Sequence, residues 1–296
     1  MEFQNSNSLS KKTKEIINNF NIHLNKNFGQ HYLIDKNKRD QIINFANLNK
    51  NDVVLEIGPG IGTLTFEIAE QVKKVIAIEK DPKIFHILQQ LINENNVSNI
   101  ELINNDALDV DFPHFNKIIS NLPYQISSPI TFKFLEYDFD SAILMYQKEF
   151  ANRMTGITGS KEYSRLSAML HFKCDVEFLT DVSKESFFPK PKIDSSVVKL
   201  SPSLSEDFQA ISKEDYEVYS IFTKALFQHK NKKSKNALID SRHVLGHNDK
   251  KEIKKLIENI KSSKIDDLLS QKVFKTSPEE ILFLSRKLNF ILEREK

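Results

Sequence analysis

The sequence predicts an α/β fold in which a doubly wound sheet is followed by a small domain built only of helices. Strand-like and helix-like segments alternate from residue 52 to about residue 147. Polar residues stand where successive strands end, which is typical of a sheet that binds ligands at the carboxyl ends of its strands. Beyond residue 205, apolar residues recur at three-to-four spacing, as in amphipathic helices. We therefore expect a catalytic domain over 28–202 and a helical domain over 203–296.

The composition is that of a chain able to bury a core. Hydrophobic residues make up 40% of the 296 residues and aromatic residues 10%. No run approaches the roughly 20 apolar residues of a membrane helix, and the polar first 20 residues do not resemble a secretory signal. The single cysteine, Cys174, excludes an intrachain disulfide and argues against a zinc site. We expect a cytoplasmic protein with no bound metal and no membrane partner.

The N-terminal segment, residues 1–27, is rich in Asn, Lys and Ser, and we predict a flexible arm there. The next run, from Asn27 to Ile34, has a glycine followed by polar and aromatic side chains. Such a run indicates a tight turn that lays side chains over a bound group. Asp35 is a candidate N-cap for a helix over about 36–48.

A glycine-rich turn follows the first buried strand, which we place at 52–57. The turn reads Gly58-Pro59-Gly60-Ile61-Gly62, and a helix opens at Thr63. Glycines let a ligand approach the main chain closely. The dinucleotide fingerprint requires a glycine where Thr63 stands, and the turn lacks the lysine of a phosphate-binding loop. The turn therefore favours a ligand with an adenosine and an amino-acid moiety but no phosphate.

The next strands also end in polar residues. The strand over 74–78 ends at Glu79, which lies 21 residues after Gly58, where a carboxylate can accept both hydroxyls of a ribose. A helix follows over about 82–95, and a third strand, 99–104, leads to Asp106. One such residue would mark only a solvated strand end, but several in register after a glycine turn indicate a binding site.

The fourth strand ends in Asn121-Leu122-Pro123-Tyr124. This tetrapeptide supplies a side-chain amide, a backbone carbonyl, a rigid ring and an aromatic face in four consecutive positions. Such a set can grip a flat ring that bears an amine. Taken alone, the same residues more readily indicate a strand that ends in a proline turn. A fifth strand over 141–146 precedes a helix that starts near Gln147.

The second half of the chain begins with a helix over 161–172 and two alternating strands, 175–182 and 193–200. Between these strands, the loop from Ser186 to Lys192 carries aromatics and lysines, and its two prolines exclude a helix. We predict a linker over residues 201–205. Five helices are predicted after it, at about 213–228, 233–240, 249–259, 264–269 and 278–292.

Positive charge is concentrated in one stretch of the helical domain. Residues 224–264 carry 12 Lys and Arg but 4 Asp and Glu, whereas the whole chain has a net charge of +2. A local positive field fits a polyanionic partner such as RNA. A solvated helix face is the alternative interpretation of the same charges.

Five segments carry a more specific signal. They are Phe28-Gly29-Gln30-His31-Tyr32-Leu33, Glu56 to Gly62, Asn121 to Pro129, Phe187 to Ser195, and Phe227-Gln228-His229-Lys230 with Lys232 and Lys233. In this order they resemble the family of rRNA adenine N6,N6-dimethyltransferases that modify small-subunit ribosomal RNA. At position 31 the chain has histidine, as archaeal and eukaryotic members of the family do. Near residue 230, lysines stand where arginine is common in the family.

The resemblance implies a Rossmann-like S-adenosylmethionine-dependent methyltransferase sheet with a small all-helical C-terminal domain. It implies S-adenosyl-L-methionine as cofactor, with Glu79 on the ribose hydroxyls, Asp106 on the adenine amine and Asn121 between cofactor and substrate. The implied cofactor-binding residues are Gln30, His31, Leu33, Gly58, Gly60, Glu79, Asp106, Ala107 and Asn121. The residues implied to hold the target base are Asn121, Leu122, Pro123, Tyr124 and Phe187. Those expected to bind RNA are Lys190, Lys192, Lys230, Lys232, Lys233 and Lys235.

The function that follows is dimethylation of two adjacent adenosines near the 3′ end of small-subunit rRNA, on a small-subunit precursor, by a monomeric enzyme. A methyltransferase of large-subunit rRNA is one alternative, because it shares the tetrapeptide and the Gly-Gln motif. The Phe187 to Ser195 segment favours the small-subunit branch. Another alternative is an RNA-binding assembly factor whose catalysis is dispensable. A DNA adenine methyltransferase is disfavoured, because its tetrapeptide typically begins with an acidic residue.

Overall fold

The computed structural model describes residues 6–22, 31–203, 211–260 and 262–292. The chain forms two compact units, one comprising Met1–Ala151 with Val176–Pro202 and the other Asn152–Asp175 with Ser203–Lys296. The second unit thus includes residues 152–175, which the sequence pattern had assigned to the catalytic domain. Two hydrogen bonds join this segment to the rest of the second unit: Tyr219 donates to the carbonyl of Ala168 at 2.7 Å, and Tyr216 donates to that of Met169 at 3.1 Å.

The helices are numbered here in chain order. They are α1 (Ser6–Asn19), α2 (Lys36–Phe45), α3 (Thr65–Ala69), α4 (Pro82–Glu94), α5 (Ser127–Phe134), α6 (Lys148–Met154), α7 (Arg165–His171), α8 (Lys213–Phe227), α9 (Ser234–Asp240), α10 (Lys250–Asn259), α11 (Ser263–Ser270) and α12 (Pro278–Leu292). The strands are β1 (Tyr32–Leu33), β2 (Val53–Ile57), β3 (Lys74–Glu79), β4 (Ile100–Asn104), β5 (Lys117–Asn121), β6 (Ser141–Gln147), β7 (Cys174–Val182), β8 (Phe187–Phe188) and β9 (Ser195–Pro202).

Seven strands form one sheet in the order β4-β3-β2-β5-β6-β9-β7. The strands from β4 to β6 run parallel, and β9 pairs antiparallel with β6. The chain moves outward from β2 to β3 and β4, and then returns to place β5 on the other side of β2. In open α/β sheets, ligands bind at this switch point, outside the carboxyl ends of the strands. The α/β fold predicted from the sequence is confirmed.

The helices that flank the sheet bury the faces that their sequence patterns predict. In α4 the buried residues recur at three-to-four spacing: Ile84, Ile87, Leu88, Leu91 and Ile92. Asp81 caps this helix, because its Oδ1 accepts from the backbone N–H of Lys83 at 2.9 Å. Asp35 caps α2 in the same way, from the N–H of Lys38 at 3.2 Å, as predicted.

The N-terminal segment differs from the predicted flexible arm. Its residues 6–19 form α1, and Leu9, Ile16 and Ile17 are buried in a cluster with residues of α4. These side chains lie on one face of the helix, and their burial supplies the free energy that the polar local sequence lacks. Residues 23–27 lie outside the described part of the chain.

The second unit is helical apart from the first residues of β7, and the bounds of α8 to α12 agree with the predicted helices to within two residues. In α10, Ile253, Leu256 and Ile257 are buried while its lysines face solvent. None of the described helices combines the length and apolar character that a membrane span requires.

Candidate functional site

A cleft lies at the switch point of the sheet. Six short segments line it: residues 31–32, 56–60, 63–64, 78–80, 105–107 and 121–126. Four of them follow or end parallel strands, residues 63–64 directly precede α3, and residues 31–32 begin the β1 segment. The space between these segments amounts to about 1130 Å³, a figure that includes a part open to solvent.

The glycine-rich turn forms one wall of the cleft. Gly58 and Gly60 have φ angles of +67° and +59°, in the region that side chains rarely adopt. A Cβ atom at Gly60 would lie 2.8 Å from Cε1 of Tyr32. The turn therefore needs glycine at position 60 both for its backbone angle and for the space that the Tyr32 ring fills.

Glu79 ends β3 at the base of the cleft and is buried. Its Oε2 accepts from the backbone N–H of Gly60 at 3.2 Å, and its Oε1 accepts from that of Asp81 at 2.9 Å. Burial raises the pKa of this carboxyl, and the two backbone hydrogen bonds oppose the rise. Each carboxylate oxygen can accept a second hydrogen bond, so Glu79 can receive two vicinal hydroxyls.

Asp106 stands in the loop that follows β4. Its Oδ1 accepts from the backbone N–H of Leu108 at 2.9 Å, and its Oδ2 accepts from the ammonium of Lys80. Burial alone would raise the pKa of Asp106. The hydrogen bonds from Lys80 and from the Leu108 amide outweigh this effect and hold the pKa below its usual value.

Asn121 ends β5 opposite the glycine turn. Its Nδ2 donates a 3.0 Å hydrogen bond to the backbone carbonyl of His31. Because a carbonyl can only accept, this contact fixes the orientation of the amide and leaves Oδ1 as its acceptor edge. Leu122 and Pro123 also line the cleft, and a Cβ atom at Gly58 would come within 3.1 Å of the Pro123 ring.

Tyr124 is held from two sides. Its hydroxyl lies 2.8 Å from Oγ of Ser195, the first residue of β9. Its ring is stacked on the ring of His31, with 5.7 Å between centroids and 29° between planes. Burial raises the pKa of the Tyr124 hydroxyl. His31 itself donates from Nδ1 to the carbonyl of Pro189 at 2.7 Å, so it links the loop after β8 to the tetrapeptide.

Two predicted site residues lie in the core instead of the cleft. The side chains of Leu33 and Phe187 are 0% and 3% exposed and belong to the same buried cluster. The cause is the antiparallel pairing of β1 with β8, which sets Leu33 opposite Phe187. Phe187 is therefore not among the residues that line the cleft. Gln30, a third predicted residue, lies outside the described residues.

Tyr32 and Glu56 are two of the residues that line the cleft without having been predicted as site residues. Neither the Tyr32 hydroxyl nor Oε2 of Glu56 has a hydrogen-bond partner among the described residues, although both atoms are buried. Burial, and to a smaller extent the nearby Glu79, raises the pKa of Glu56 to about 8. Glu56 stands two residues before Gly58, at the end of a strand, which is the one signal that would have identified it.

These unsatisfied atoms fit the predicted cofactor. An adenosine with an amino-acid moiety brings hydroxyl, amine and ammonium groups, each of which needs acceptors in a buried cleft. Glu56, Glu79 and Asp106 supply acceptor oxygens at three places along it. The described residues contain no group of three or more His, Cys, Asp or Glu that could hold a metal ion.

The predicted RNA-binding lysines fall into two sets. Lys190 pairs with Glu185, Lys232 pairs with Asp240 at 2.8 Å, and Lys230 donates to the carbonyls of Lys161 and Tyr163 at 2.9 and 2.8 Å. Those three ammonium groups already have partners within their own unit. The remaining three are Lys192 and Lys233, which are exposed, and Lys235, which is half-buried.

Comparisons with known proteins agree on one family. The family described as "Ribosomal RNA adenine dimethylase" matches residues 21–274. A protein of Methanosphaera stadtmanae named "Probable ribosomal RNA small subunit methyltransferase A" is 48% identical over 95% of this chain and 98% of that protein. A protein of Pyrococcus abyssi with the same name is 42% identical over 90% of this chain and 92% of that protein.

Solved structures show the same similarity. A dimethyladenosine transferase from Plasmodium falciparum has a TM-score of 0.71 and 29% identity, covering 88% of this chain and 96% of that one. The 23S rRNA methyltransferase ErmE has a TM-score of 0.60 and 25% identity, covering 87% of this chain and 99% of that one.

Proposed function

The chain belongs to the ribosomal RNA adenine dimethylase family, and on that premise we propose that it dimethylates adenosines of small-subunit rRNA at N6. The expected target is a pair of adjacent adenosines near the 3′ end, methylated during assembly of the small subunit. The names of the relatives at 42–48% identity support the small-subunit assignment. We further propose that the protein acts in the cytoplasm as a monomer.

The observation that carries this proposal is the fixed amide of Asn121. Its Nδ2 is engaged by the carbonyl of His31, so its Oδ1 is oriented as an acceptor before any substrate arrives. The carbonyl of Leu122 is the natural second acceptor, one residue further along the cleft wall. Two acceptors beside each other match the two hydrogens of an exocyclic adenine amine.

These acceptors also account for how the amine reacts. The lone pair of an adenine amine is conjugated with its ring and is therefore a weak nucleophile. Hydrogen bonds from both amine hydrogens to Asn121 and Leu122 favour a pyramidal nitrogen, which localises the lone pair. Positive charge develops on this nitrogen as the new bond forms, and preorganised acceptor dipoles stabilise it there. Pro123 fixes the turn, so that this geometry is held in advance.

S-adenosylmethionine, when bound, supplies a methyl group on a sulfonium centre. Glu79 would hold the ribose hydroxyls, Asp106 the adenine amine, and Glu56 would face the ammonium of the amino-acid end. The glycine turn allows close approach of the main chain. The methylated nitrogen then loses a proton to water, so the chain need not supply a dedicated base.

The target base must leave its stack to reach the cleft, which costs a few kcal/mol in a duplex and less in a loop. Stacking on Tyr124 can offset about 1–3 kcal/mol of this cost. Ser195 and His31 hold that ring in place, so little further ordering is needed when a base arrives. Exposed lysines such as Lys192 and Lys233 can bind phosphates and add a salt-dependent contribution.

The test is transfer of labelled methyl groups to purified small and large ribosomal subunits that lack the modification. We expect incorporation into small subunits only, with the label mapped to N6 of two adjacent adenosines and with up to two methyl groups on each. Label confined to large subunits would overturn the proposal in favour of the alternative that the similarity to ErmE represents. Tight RNA binding without any incorporation would instead favour an assembly factor.

A further inference from the structure

Lys133, on α5, makes an unusual set of contacts beside the cleft. Its ammonium donates to the backbone carbonyls of Ala107, Leu108 and Val110 at 2.9, 3.1 and 2.6 Å. A lysine has three N–H donors, so these carbonyls occupy the full donor capacity of the group. The same ammonium lies 4.6 Å from the centroid of the Phe112 ring, a favourable cation–π contact.

The three carbonyls belong to the loop that follows Asp106. Ala107 lines the cleft, and Asp106 immediately before it is our candidate ligand of the adenine amine. Carbonyls in a tight loop repel one another when they converge, and a single ammonium at their centre compensates that repulsion. The contacts of Lys133 therefore stabilise this conformation of the loop.

The peptide between Ala107 and Leu108 transmits this effect to Asp106. In a trans peptide the C=O and the N–H point in opposite directions. Here the carbonyl of Ala107 accepts from Lys133, while the N–H of Leu108 donates to Oδ1 of Asp106 at 2.9 Å. One rigid peptide plane thus joins the ammonium on one side to the carboxylate on the other.

Lys80 contacts the same carboxylate in a different way. Its ammonium pairs directly with Oδ2 of Asp106, and its side chain is 56% exposed. An exposed ion pair of this kind contributes little to holding a loop. The ammonium of Lys133 contacts the backbone of the loop and not the carboxylate. Because its three N–H groups all donate to backbone carbonyls, Lys133 can orient Asp106 without binding the carboxylate oxygens of Asp106.

We propose that Lys133 is a positioning residue for the nucleoside end of the cofactor, through the Ala107–Leu108 peptide and Asp106. This inference rests on the proposed role of Asp106 in the function stated above. It predicts that Lys133 sets the affinity for any ligand that carries the adenosine moiety, whether or not the amino-acid end is present.

The experiment is calorimetric titration of the full chain with S-adenosylhomocysteine and, separately, with 5′-methylthioadenosine, which lacks the amino-acid end. For Lys133→Met we expect the Kd of both ligands to rise by a similar factor, on the order of 10-fold. Lys133→Arg keeps a charged donor near the carbonyls and should recover part of the affinity. RNA is absent from this assay, so its outcome is independent of which rRNA the enzyme methylates.

Lys117 provides the matched control. It is buried at the start of β5, at the opposite end of the sheet, where its ammonium donates to the carbonyls of Ala46 and Asn47 at 3.0 and 2.7 Å. Lys117→Met should lower the Tm and leave both Kd values unchanged. The proposal is overturned if folded Lys133→Met binds both ligands as tightly as the unmodified chain, or if Lys117→Met weakens them equally. Should Lys133→Met not fold, Lys133→Gln is titrated against the same criteria.

Discussion

The side-chain amide of Asn121 is tied to the backbone carbonyl of His31, 90 residues earlier in the chain, by a 3.0 Å hydrogen bond. The His31 ring in turn contacts Pro189 and stacks on Tyr124. One residue thus joins three parts of the sequence that are far apart: the segment before β1, the tetrapeptide after β5 and the loop after β8. The acceptor geometry of the cleft depends on this junction as much as on the tetrapeptide itself.

Asn121→Ala should abolish methylation while leaving cofactor binding largely intact. The substitution removes the acceptor that orients the target amine, and loss of one preorganised dipole typically lowers kcat on the order of 100-fold or more. The measurement pairs single-turnover methyl transfer with a calorimetric titration of S-adenosylhomocysteine.

Asn121→Asp tests the orientation of the amide separately. It keeps an acceptor but replaces the donor to His31 with an oxygen that repels the carbonyl, so we expect lower activity here as well. Equal loss of methylation and of cofactor affinity in the Ala variant would contradict the assigned role of Asn121.

The contact between Tyr124 and Ser195 can be measured with a double-mutant cycle. Tyr124→Phe and Ser195→Ala each remove one partner of the 2.8 Å hydrogen bond. If this bond fixes the stacking ring, the two substitutions should be non-additive in kcat/KM for the RNA, with a coupling energy of about 1 kcal/mol. Fully additive effects would show that the two residues act independently.

The dependence of stability on pH should report the buried carboxyl of Glu56. Its pKa is raised by burial from a usual 4.5 to about 8, so the folded protein retains a proton that the unfolded chain releases. The associated stability is present below about pH 4.5 and is lost as the pH rises toward 8. The Glu56→Gln variant has no ionisable group at this position, so it does not lose this stability. The difference in Tm, variant minus unmodified chain, should therefore increase between pH 5 and pH 8 and then level off.

Glu79 and Thr65 are the groups whose interactions with Glu56 affect this pKa, and neither is changed in the variant. A Tm difference that stays constant over the same pH range would show that Glu56 does not titrate there.

The sheet and most helices were predictable because their patterns are local. Buried strands, amphipathic spacing and the cap at Asp35 all lie within windows of about 15 residues. Helix α5 was missed because Ser127-Ser128-Pro129 is typical of a loop, although proline is tolerated in the first turn of a helix. Helix α1 was missed because its apolar residues gain their burial from α4, a helix far along the chain.

In the candidate site, too, some residues were predictable from local sequence patterns, whereas the placement of others depends on contacts between distant segments. Asn121, Glu79 and Asp106 were identified from their places at strand ends, and all three line the cleft. Phe187 lies in the core, and the sequence cannot tell which of two adjacent phenylalanines faces inward. The strands β1 and β8 lie far apart in the sequence, and their pairing places the side chain of Phe187 in the core.

The exposed lysines should account for the salt dependence of RNA binding. Lys192 and Lys233 are exposed, whereas the ammonium of Lys230 is engaged by the carbonyls of Lys161 and Tyr163. For Lys192→Ala and Lys233→Ala, the slope of log Kd against log salt concentration should fall by about 0.7–0.9 for each phosphate that the variant no longer binds. Lys230→Ala is the control, which should lower the Tm because its two hydrogen bonds to backbone carbonyls are removed, and should leave the slope unchanged. If instead the slope changes only in Lys230→Ala, the two exposed lysines belong to a merely solvated surface and Lys230 reaches the RNA.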